Sequence, residues 1–199
     1  RPGSGTHIFR NILIILQFAI SVFMIFSTIE IFRQIKYFNE KNLGFDKTNV
    51  INIELNGSAL SLAANNPRVI KDELQKLPFV LGISLTSTVI GDRFSVEGWT
   101  PEQPPENFNN PPLRFLRVDE DFLQVLNIPL EEGKNFDRPS GTNSQFIMNK
   151  LAVEMLDLKN PIGEKGTAFF GTKGEIVGVT GNFHFASLHQ LVEPLVLEY

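Results

Sequence analysis

The stretch NILIILQFAISVFMIFSTI, Asn11–Ile29, decides the architecture of this chain. Its 19 residues carry no charge, and 14 of them are Ala, Val, Ile, Leu, Met or Phe. A helix of about 20 apolar residues crosses the roughly 30 Å of hydrocarbon in a bilayer. The run is longer than the apolar part of a signal peptide, and unlike a soluble core helix it is apolar on every side. It therefore predicts one membrane-spanning helix, read from Ile8 to Phe32.

A small set of polar residues lies within the predicted span. Gln17, Ser21 and Thr28 are spaced i, i+4 and i+11, which places them on one helical face. In lipid, such a stripe favours packing against another helix, so these three residues form a predicted helix-packing face. The alternative is that Ser and Thr hydroxyls bond to the carbonyls of their own helix.

The apolar pattern continues beyond the span as a predicted stalk. Ile31, Ile35 and Phe38 follow one another at i, i+4 and i+7, and Gly44 then supplies a helix-ending glycine. One helix of about 35 residues, on the order of 50 Å long, would leave the bilayer in this way. We therefore divide the chain into a transmembrane helix and stalk, residues 1–45, and an extramembrane domain, residues 46–199.

The composition excludes several function classes. The 18 Lys and Arg residues stand against 22 Asp and Glu, a net charge of -4 without a basic stripe, so no nucleic-acid partner is expected. The chain has no cysteine, which excludes disulfides, thiolate metal sites and a cysteine nucleophile. It carries neither a phosphate-binding glycine loop nor a serine-nucleophile motif. We expect no enzyme activity, and no catalytic, cofactor-binding or metal-binding residues.

The remaining sequence predicts a mixed α+β domain. Helices are expected behind Asn66-Pro67, from a cap at Asp119, and after Met148. Five prolines between residues 98 and 112 predict an irregular surface excursion. Strands are expected where β-branched residues alternate or cluster: Thr48–Leu55, Phe79–Val89, Leu113–Val118, Gln145–Met148, Lys173–Val179 and Leu195–Tyr199.

Several of these stretches resemble, in order and spacing, one membrane-protein family. The chain is similar to the MacB/FtsX-like permease subunits of ABC transporters, and the final run FHFASLH resembles their Bacteroidetes-type members. The resemblance is carried by Leu43–Asp46 and the strand after it, Arg117–Phe136 (RVDEDFLQVLNIPLEEGKNF), Asn149–Ala152, Asn160–Lys165 and Glu175–His189 (EIVGVTGNFHFASLH).

The resemblance implies a fold, a location and a set of partners. The fold is a two-lobed MacB-like periplasmic core domain, a βαβ porter-like lobe with a mostly-β lobe inserted at about residues 91–116, and the family's domain continues beyond residue 199. The location is the bacterial inner membrane with a periplasmic domain, although counting basic residues gives the opposite orientation. The partners are a cytoplasmic ABC ATPase that holds the ATP, a second permease copy, membrane lipid, and a periplasmic adaptor or outer-membrane protein.

The family's function would be mechanical. The permease transmits ATP-driven motion through the stalk to the periplasmic domain, for export, efflux or extraction of an unspecified substrate. One alternative is a membrane-tethered sensor, which would need a concave pocket with convergent polar groups. Another is an FtsX-like activator of a peptidoglycan hydrolase.

Overall fold

The chain consists of an N-terminal helix and a mixed helix-and-sheet domain. The structure is a computed structural model, and it describes residues 5–41, 43–92, 94–137, 144–169, 171–186 and 191–199 of the 199. Contacts divide it into two compact units, Arg1–Asn42 and Leu43–Tyr199. The α+β class predicted from the sequence is confirmed.

Helix α1 spans Gly5–Glu40, and its 36 residues confirm the predicted continuation past the apolar stretch. The part from Ile8 to Phe38 is long and apolar enough to cross a membrane. Its apolar side chains are not buried within the protein: Phe18, Phe23 and Phe26, for example, are each more than two-thirds exposed. Such a surface is stable only where lipid or other apolar helices cover it.

The second unit begins with a helical hairpin. Helix α2 spans Ser58–Asn65 and helix α3 spans Pro67–Gln75, joined by Asn66. The α3 prediction is confirmed, since Pro67 occupies the first helical turn, where a missing N–H costs nothing. Helix α2 was not among the expected helices, and its run SALSLAAN is rich in the strong helix formers Ala and Leu.

Eight strands and two short helices complete the second unit. The strand order in the sheet is β1-β3-β8-β5-β7-β6-β2, with β4 pairing with β7 beside this path. The β3–β8 and β5–β7 pairs are parallel and the others are antiparallel. The elements are β1 Ser95–Glu97, β2 Trp99–Pro101, β3 Leu113–Arg117, α4 Phe122–Val125, β4 Leu130–Gly133, β5 Ser144–Asn149, α5 Lys150–Met155, β6 Lys165–Ala168, β7 Lys173–Thr180 and β8 Leu195–Glu198.

A single bend joins the two end strands of the sheet. Strands β1 and β2 lie at the two ends of the strand order, yet Gly98 alone separates them in the sequence. Glu97 pairs with β3, whereas Trp99 pairs with β6, so the two edges of the sheet meet at Gly98. A Cβ at Gly98 would lie 2.5 Å from Asn110 Nδ2. Asn110 secures the bend because its Oδ1 accepts a hydrogen bond from Trp99 N at 3.1 Å.

Two apolar clusters pack on the two faces of the sheet. Because side chains alternate along a strand, Val196 of β8 joins one cluster while Leu195 and Leu197 join the other. Fully burying one such side chain contributes about 1.5–3 kcal/mol. The first cluster contains Trp99, Leu113, Phe115, Phe146, Met148, Ala152, Leu156, Ala168, Ile176 and Val196, and the second includes Leu116, Phe122, Leu126, Ile147, Val177, Phe183, Phe185, Leu195 and Leu197.

Two predicted strands are wrong. Residues 50–56 and 80–85 have no strand pairing, and Thr86 makes only an isolated bridge with Val118. An alternating pattern becomes a strand only where a second backbone pairs with it, and no described segment does so here. Ile51 and Leu81 are accordingly 82% and 96% exposed. The expected strand–helix–strand unit is therefore reduced to α3 and its unpaired flanks.

The expected proline-rich excursion is shorter than predicted. Trp99–Pro101 is strand β2 and is largely buried, because the bend at Gly98 carries it onto β6. Residues 102–112 contain no helix or strand, as predicted. Residues 91–116 supply β1, β2 and most of β3 to the same sheet as the rest of the domain, and their separation as an inserted lobe stays a prediction.

Four other strand predictions agree with the structure. The predictions at Leu113, Gln145, Lys173 and Leu195 are confirmed as β3, β5, β7 and β8, within one or two residues at each end. These are the strands whose residues fill the two clusters, so burial produced the pattern that was visible in the sequence.

Asn149 joins three elements, and its replacement tests the packing at this point. Its side chain is buried; Oδ1 accepts from Ala152 N at 3.0 Å and Leu195 N at 2.9 Å, and Nδ2 donates to Glu193 O at 2.9 Å. Asn149→Ala should lower the free energy of unfolding by about 2–4 kcal/mol, because it removes a helix cap and leaves buried groups unpaired. The measurement is urea unfolding followed by the fluorescence of Trp99, the one tryptophan of the chain.

Asn65→Ala is the matched control, since Asn65 is exposed and bonds only to Ser61 O in its own helix. It should change the stability by less than about 0.5 kcal/mol. Equal losses in the two variants would contradict the connecting role of Asn149.

Candidate functional site

The predicted helix-packing face lies exposed along α1. Ser21 Oγ donates to Gln17 O at 2.9 Å, and Thr28 Oγ1 donates to Met24 O at 2.8 Å. Both hydroxyls thus bond to their own helix, as the alternative reading expected. The side-chain amide of Gln17 makes no hydrogen bond to any described residue. The helix-packing face stays a prediction. Of its three residues, Gln17 is the one whose side chain would gain hydrogen bonds from a neighbouring helix.

The predicted stalk residues lie in the last turns of α1. Ile31 and Ile35 are 55% and 51% exposed, and Phe38 is half-buried with its ring edge against Tyr37 at 6.1 Å. Lys41 lies 5.9 Å from the centre of the Tyr37 ring, a distance at which a cation is attracted to an aromatic face. Their role as a stalk stays a prediction.

The first four residues of the second unit, Leu43–Asp46, are fastened to its core; we call them the neck segment. Leu43 O accepts a hydrogen bond from His184 N at 2.7 Å, and Asp46 N donates to Leu126 O at 2.8 Å. The Phe45 ring meets Phe183 edge-on at 6.3 Å. The neck segment is therefore held at both ends by backbone bonds and in between by an aromatic contact.

Gly44 is required at this position for two reasons. Its φ of +85° lies in the left-handed region that side chains disfavour, and a Cβ there would come within 2.7 Å of Phe183 Cβ. Asp46 then shapes the next turn by accepting from Thr48 N at 2.8 Å. The hydrogen bonds from the Thr48 backbone and side chain lower the pKa of Asp46.

A part-buried lysine fastens the helical hairpin to the sheet. Lys71 Nζ of α3 lies 2.8 Å from Asp119 Oδ2 and 2.5 Å from Asp121 Oδ2. Asp119 also accepts from Ser84 Oγ at 2.7 Å and from Leu85 N at 2.8 Å. Burial alone would lower the pKa of Lys71, but the hydrogen bonds and charges of the two carboxylates outweigh it and raise the pKa. The lysine therefore stays charged at neutral pH.

These attachments converge on one short stretch, Asp119–Leu126, which we call the α4 turn. The neck segment bonds to Leu126 at one end of it, and the hairpin bonds to Asp119 and Asp121 at the other. Between them, Phe122 and Leu123 are buried in the second apolar cluster. A displacement of the neck segment would therefore reach both the hairpin and the sheet through the α4 turn.

The sequence pointed to Asp119 for a different reason. It was expected to cap the α4 helix, and its Oδ1 does accept a hydrogen bond from Asp121 N at 3.2 Å, although Asp121 is the residue directly before the helix. Asp119 also binds Lys71, Ser84 and Leu85. The sequence could not reveal this role, because Lys71 is 48 residues distant from Asp119 along the chain.

A surface groove of about 500 Å³ lies away from the α4 turn. It is lined by residues of the proline-rich stretch 101–109, by residues 155–160 and by Glu164. Phe108 and Met155 contribute apolar surface, and Asn107 and Asn109 contribute amides. Within the described ranges, no group of three or more His, Asp or Glu side chains is arranged to hold a metal ion.

Comparison with known proteins finds structural likenesses of low sequence identity. No protein-family model matches the chain, and no curated protein matches its sequence. The periplasmic region of MacB from Actinobacillus actinomycetemcomitans aligns with a TM-score of 0.44 at 11% identity, over 63% of this chain and 60% of that one. A domain of a protein described as a permease, from Porphyromonas gingivalis, aligns with a TM-score of 0.44 at 11% identity, over 64% and 54%.

A third solved structure is the extracellular domain of the noncanonic ABC-type transporter YknZ from Gram-positive bacteria. It aligns with a TM-score of 0.36 at 16% identity, over 63% of this chain and 65% of that one. The chain thus spans less than two thirds of the length of each of the three structures. With TM-scores below 0.5, these are partial likenesses, and the Bacteroidetes-type assignment stays a prediction.

Replacing Lys71 should loosen the hairpin and leave the sheet intact. Lys71→Met removes the cation that pairs with two partly buried carboxylates. The free energy that holds the hairpin in place should fall by about 1–3 kcal/mol, toward the lower end because both pairs are partly open to solvent. Amide hydrogen exchange in α3 should accelerate by at least about tenfold, while β5 and β7 stay protected.

Lys76→Met provides the control at the end of the same helix. Lys76 also pairs with a carboxylate, Glu73, but both side chains are about two-thirds exposed, so its removal should have little effect. If the two variants changed exchange in α3 equally, the ion pairs of Lys71 would not hold the hairpin.

Proposed function

We propose that the chain is part of a permease subunit of an ABC transporter. Helix α1 would lie in the bacterial inner membrane, and the second unit would lie outside the cytoplasm. The subunit would carry no enzyme activity of its own. It would transmit motion driven by ATP hydrolysis on a cytoplasmic ATPase to the second unit, for the export, efflux or extraction of a substrate.

The observation that carries this proposal is the attachment of the neck segment. Helix α1 is apolar and long enough to span a bilayer, and only two residues separate its end from the neck segment. The neck segment is hydrogen-bonded to His184 and Leu126 of the domain core. A simple membrane tether does not need such an attachment, because a flexible linker anchors a domain equally well. A segment that passes on displacement does need it, since slack in the chain would absorb the motion.

The partners follow from the same proposal. The ATPase would hold the ATP, so no cofactor is assigned to this chain. A second permease copy and membrane lipid would surround α1, with Gln17, Ser21 and Thr28 on the face toward a neighbouring helix. A periplasmic adaptor or an outer-membrane protein would act on the far side of the second unit. An FtsX-like activation of a peptidoglycan hydrolase would use the same parts with a different final partner.

One observation favours a second candidate function, a membrane-tethered sensor. The groove between residues 101–109 and 155–160 has a volume within the range of small-molecule sites. It is lined by both amides and apolar groups, as a ligand site requires. A sensor would change its signalling when the groove is altered, whereas a transmitting subunit would respond to changes in the neck segment.

Single-cysteine labelling tests the proposed location. The chain has no cysteine, so Ala64→Cys, at an exposed position in α2, introduces one reactive thiol. In intact spheroplasts a membrane-impermeant maleimide should label Ala64→Cys fully, because the second unit faces outward. Ser4→Cys, on the other side of α1, should be labelled only after the membrane is permeabilised. The reverse pattern would place the second unit in the cytoplasm and refute the proposal.

Slack introduced before the neck segment tests the transmission itself. A Gly-Ser-Gly-Ser insertion between Lys41 and Leu43, replacing Asn42, should reduce the stimulation of the ATPase by the full-length subunit about tenfold, a coupling loss of about 1.4 kcal/mol. The measurement is ATP hydrolysis by the proposed ATPase partner, with both proteins in the same liposomes.

The same insertion after Glu106 serves as the control, because residues 102–112 contain no helix or strand. It should leave the stimulation unchanged. Unchanged stimulation by the variant altered before the neck segment, with Trp99 fluorescence showing a folded domain, would refute transmission and favour the sensor.

A further inference from the structure

Two buried glutamates lie on the two strands that flank β3 in the sheet. The side chains of Glu97 on β1 and Glu198 on β8 are only 4% and 5% exposed. Strand β3 lies between them and contributes Arg117, whose side chain is 48% exposed. Buried glutamates are rare unless each is paired, and here two glutamates meet one guanidinium.

The single arginine does not satisfy both acids. Arg117 Nε forms an ion pair with Glu198 Oε2 at 3.1 Å, and Arg117 Nη2 lies 3.7 Å from Glu97 Oε1. Ser95 Oγ donates to Glu97 Oε1 at 2.9 Å. The Oε2 atoms of both glutamates are buried and have no hydrogen-bond partner among the described residues. Neither Oε2 atom therefore has a well-aligned hydrogen-bond donor in the described part of the chain.

We propose that Glu97 and Glu198 form a proton-binding site around Arg117 in which the two carboxyls together carry one proton in the folded domain. A carboxylate offers only acceptors, whereas a carboxylic acid adds an O–H donor, so one proton supplies a donor and also cancels the excess negative charge. The site would then hold one neutral acid, one carboxylate and one guanidinium, with no net charge left in a dry region.

The surroundings of Glu198 support this assignment. Burial raises its pKa, the charge of Arg117 lowers it and the charge of Glu97 raises it, with burial the largest effect and a raised pKa the result. On the remaining sides, β5 places Phe146 opposite Glu198, and the uncharged side chain of Thr172 lowers its pKa. Among the described residues, the charged groups that act on it are thus Glu97 and Arg117.

The proton makes stability depend on pH in a defined direction. A carboxyl whose pKa is higher in the folded state than its ordinary 4.5 binds more protons when folded. The stability is therefore greatest below pH 4.5 as far as this group is concerned, and it falls as the pH rises toward the folded-state pKa. Over that interval the folded-to-unfolded ratio should drop about tenfold for each pH unit.

Replacing either acid with its neutral isostere tests the site. The full chain in detergent micelles is unfolded with urea at a series of pH values, and Trp99 fluorescence gives the midpoint. Glu198→Gln should raise the midpoint at pH 8 relative to the parent and converge with it near pH 4, which flattens the pH dependence. Glu97→Gln should flatten it in the same way, and it keeps the test decisive if Glu198→Gln fails to fold.

Glu132→Gln is the matched control, because Glu132 is an exposed carboxyl on β4 of the same sheet. Its pH dependence should follow that of the parent. Parallel curves for the parent and both pair variants would overturn the proposal. A second outcome would also overturn it. If added Na⁺ or Ca²⁺ at constant ionic strength raised the urea midpoint of the parent at pH 8 but not that of Glu198→Gln, a metal cation would fill the site instead of a proton.

Discussion

The bend at Gly98 is the constraint on which the rest of the domain depends. It allows one stretch of chain, Ser95–Pro101, to form both edges of the sheet, so that β1 pairs with β3 and β2 pairs with β6. The bend also places Trp99 in an apolar cluster and carries Glu97 to a buried position beside Arg117.

The α4 turn attaches the neck segment and the helical hairpin, which lie outside the sheet, to the rest of the second unit. It receives the neck segment at Leu126 and the helical hairpin at Asp119, while Phe122 fixes the turn in the core. The two attachments differ in chemistry. The neck is held by backbone bonds and a ring contact, which salt does not weaken, whereas the hairpin is held by a part-exposed ion pair, which salt screens.

The sequence predicted the elements whose pattern reflects their own burial. Apolar length identified α1, and β-branched runs identified β5, β7 and β8, because these segments are buried or apolar along most of their length. The strands β1, β2, β4 and β6 are three or four residues long, too short to display a period. Their existence depends on partners elsewhere in the chain.

The same limit explains the strands that were wrongly expected and the site that was missed. Thr48–Leu55 alternates correctly, but no described strand pairs with it. The sequence singled out neither Lys71 nor the pair Glu97 and Glu198, and it indicated Asp119 only as a helix cap, because a local pattern carries no information on distant contacts. Only the order of the strands brings β1 and β8 to either side of Arg117.

That strand order also determines when the domain can be completed during synthesis. Strand β8 lies between β3 and β5, so Phe115 cannot acquire its neighbour Val196 until the ribosome has added some 80 further residues. Until then the inward edges of β3 and β5 stay open and their apolar side chains meet water. A nascent chain passes this interval without its central strand, and during it the protein is most vulnerable to aggregation.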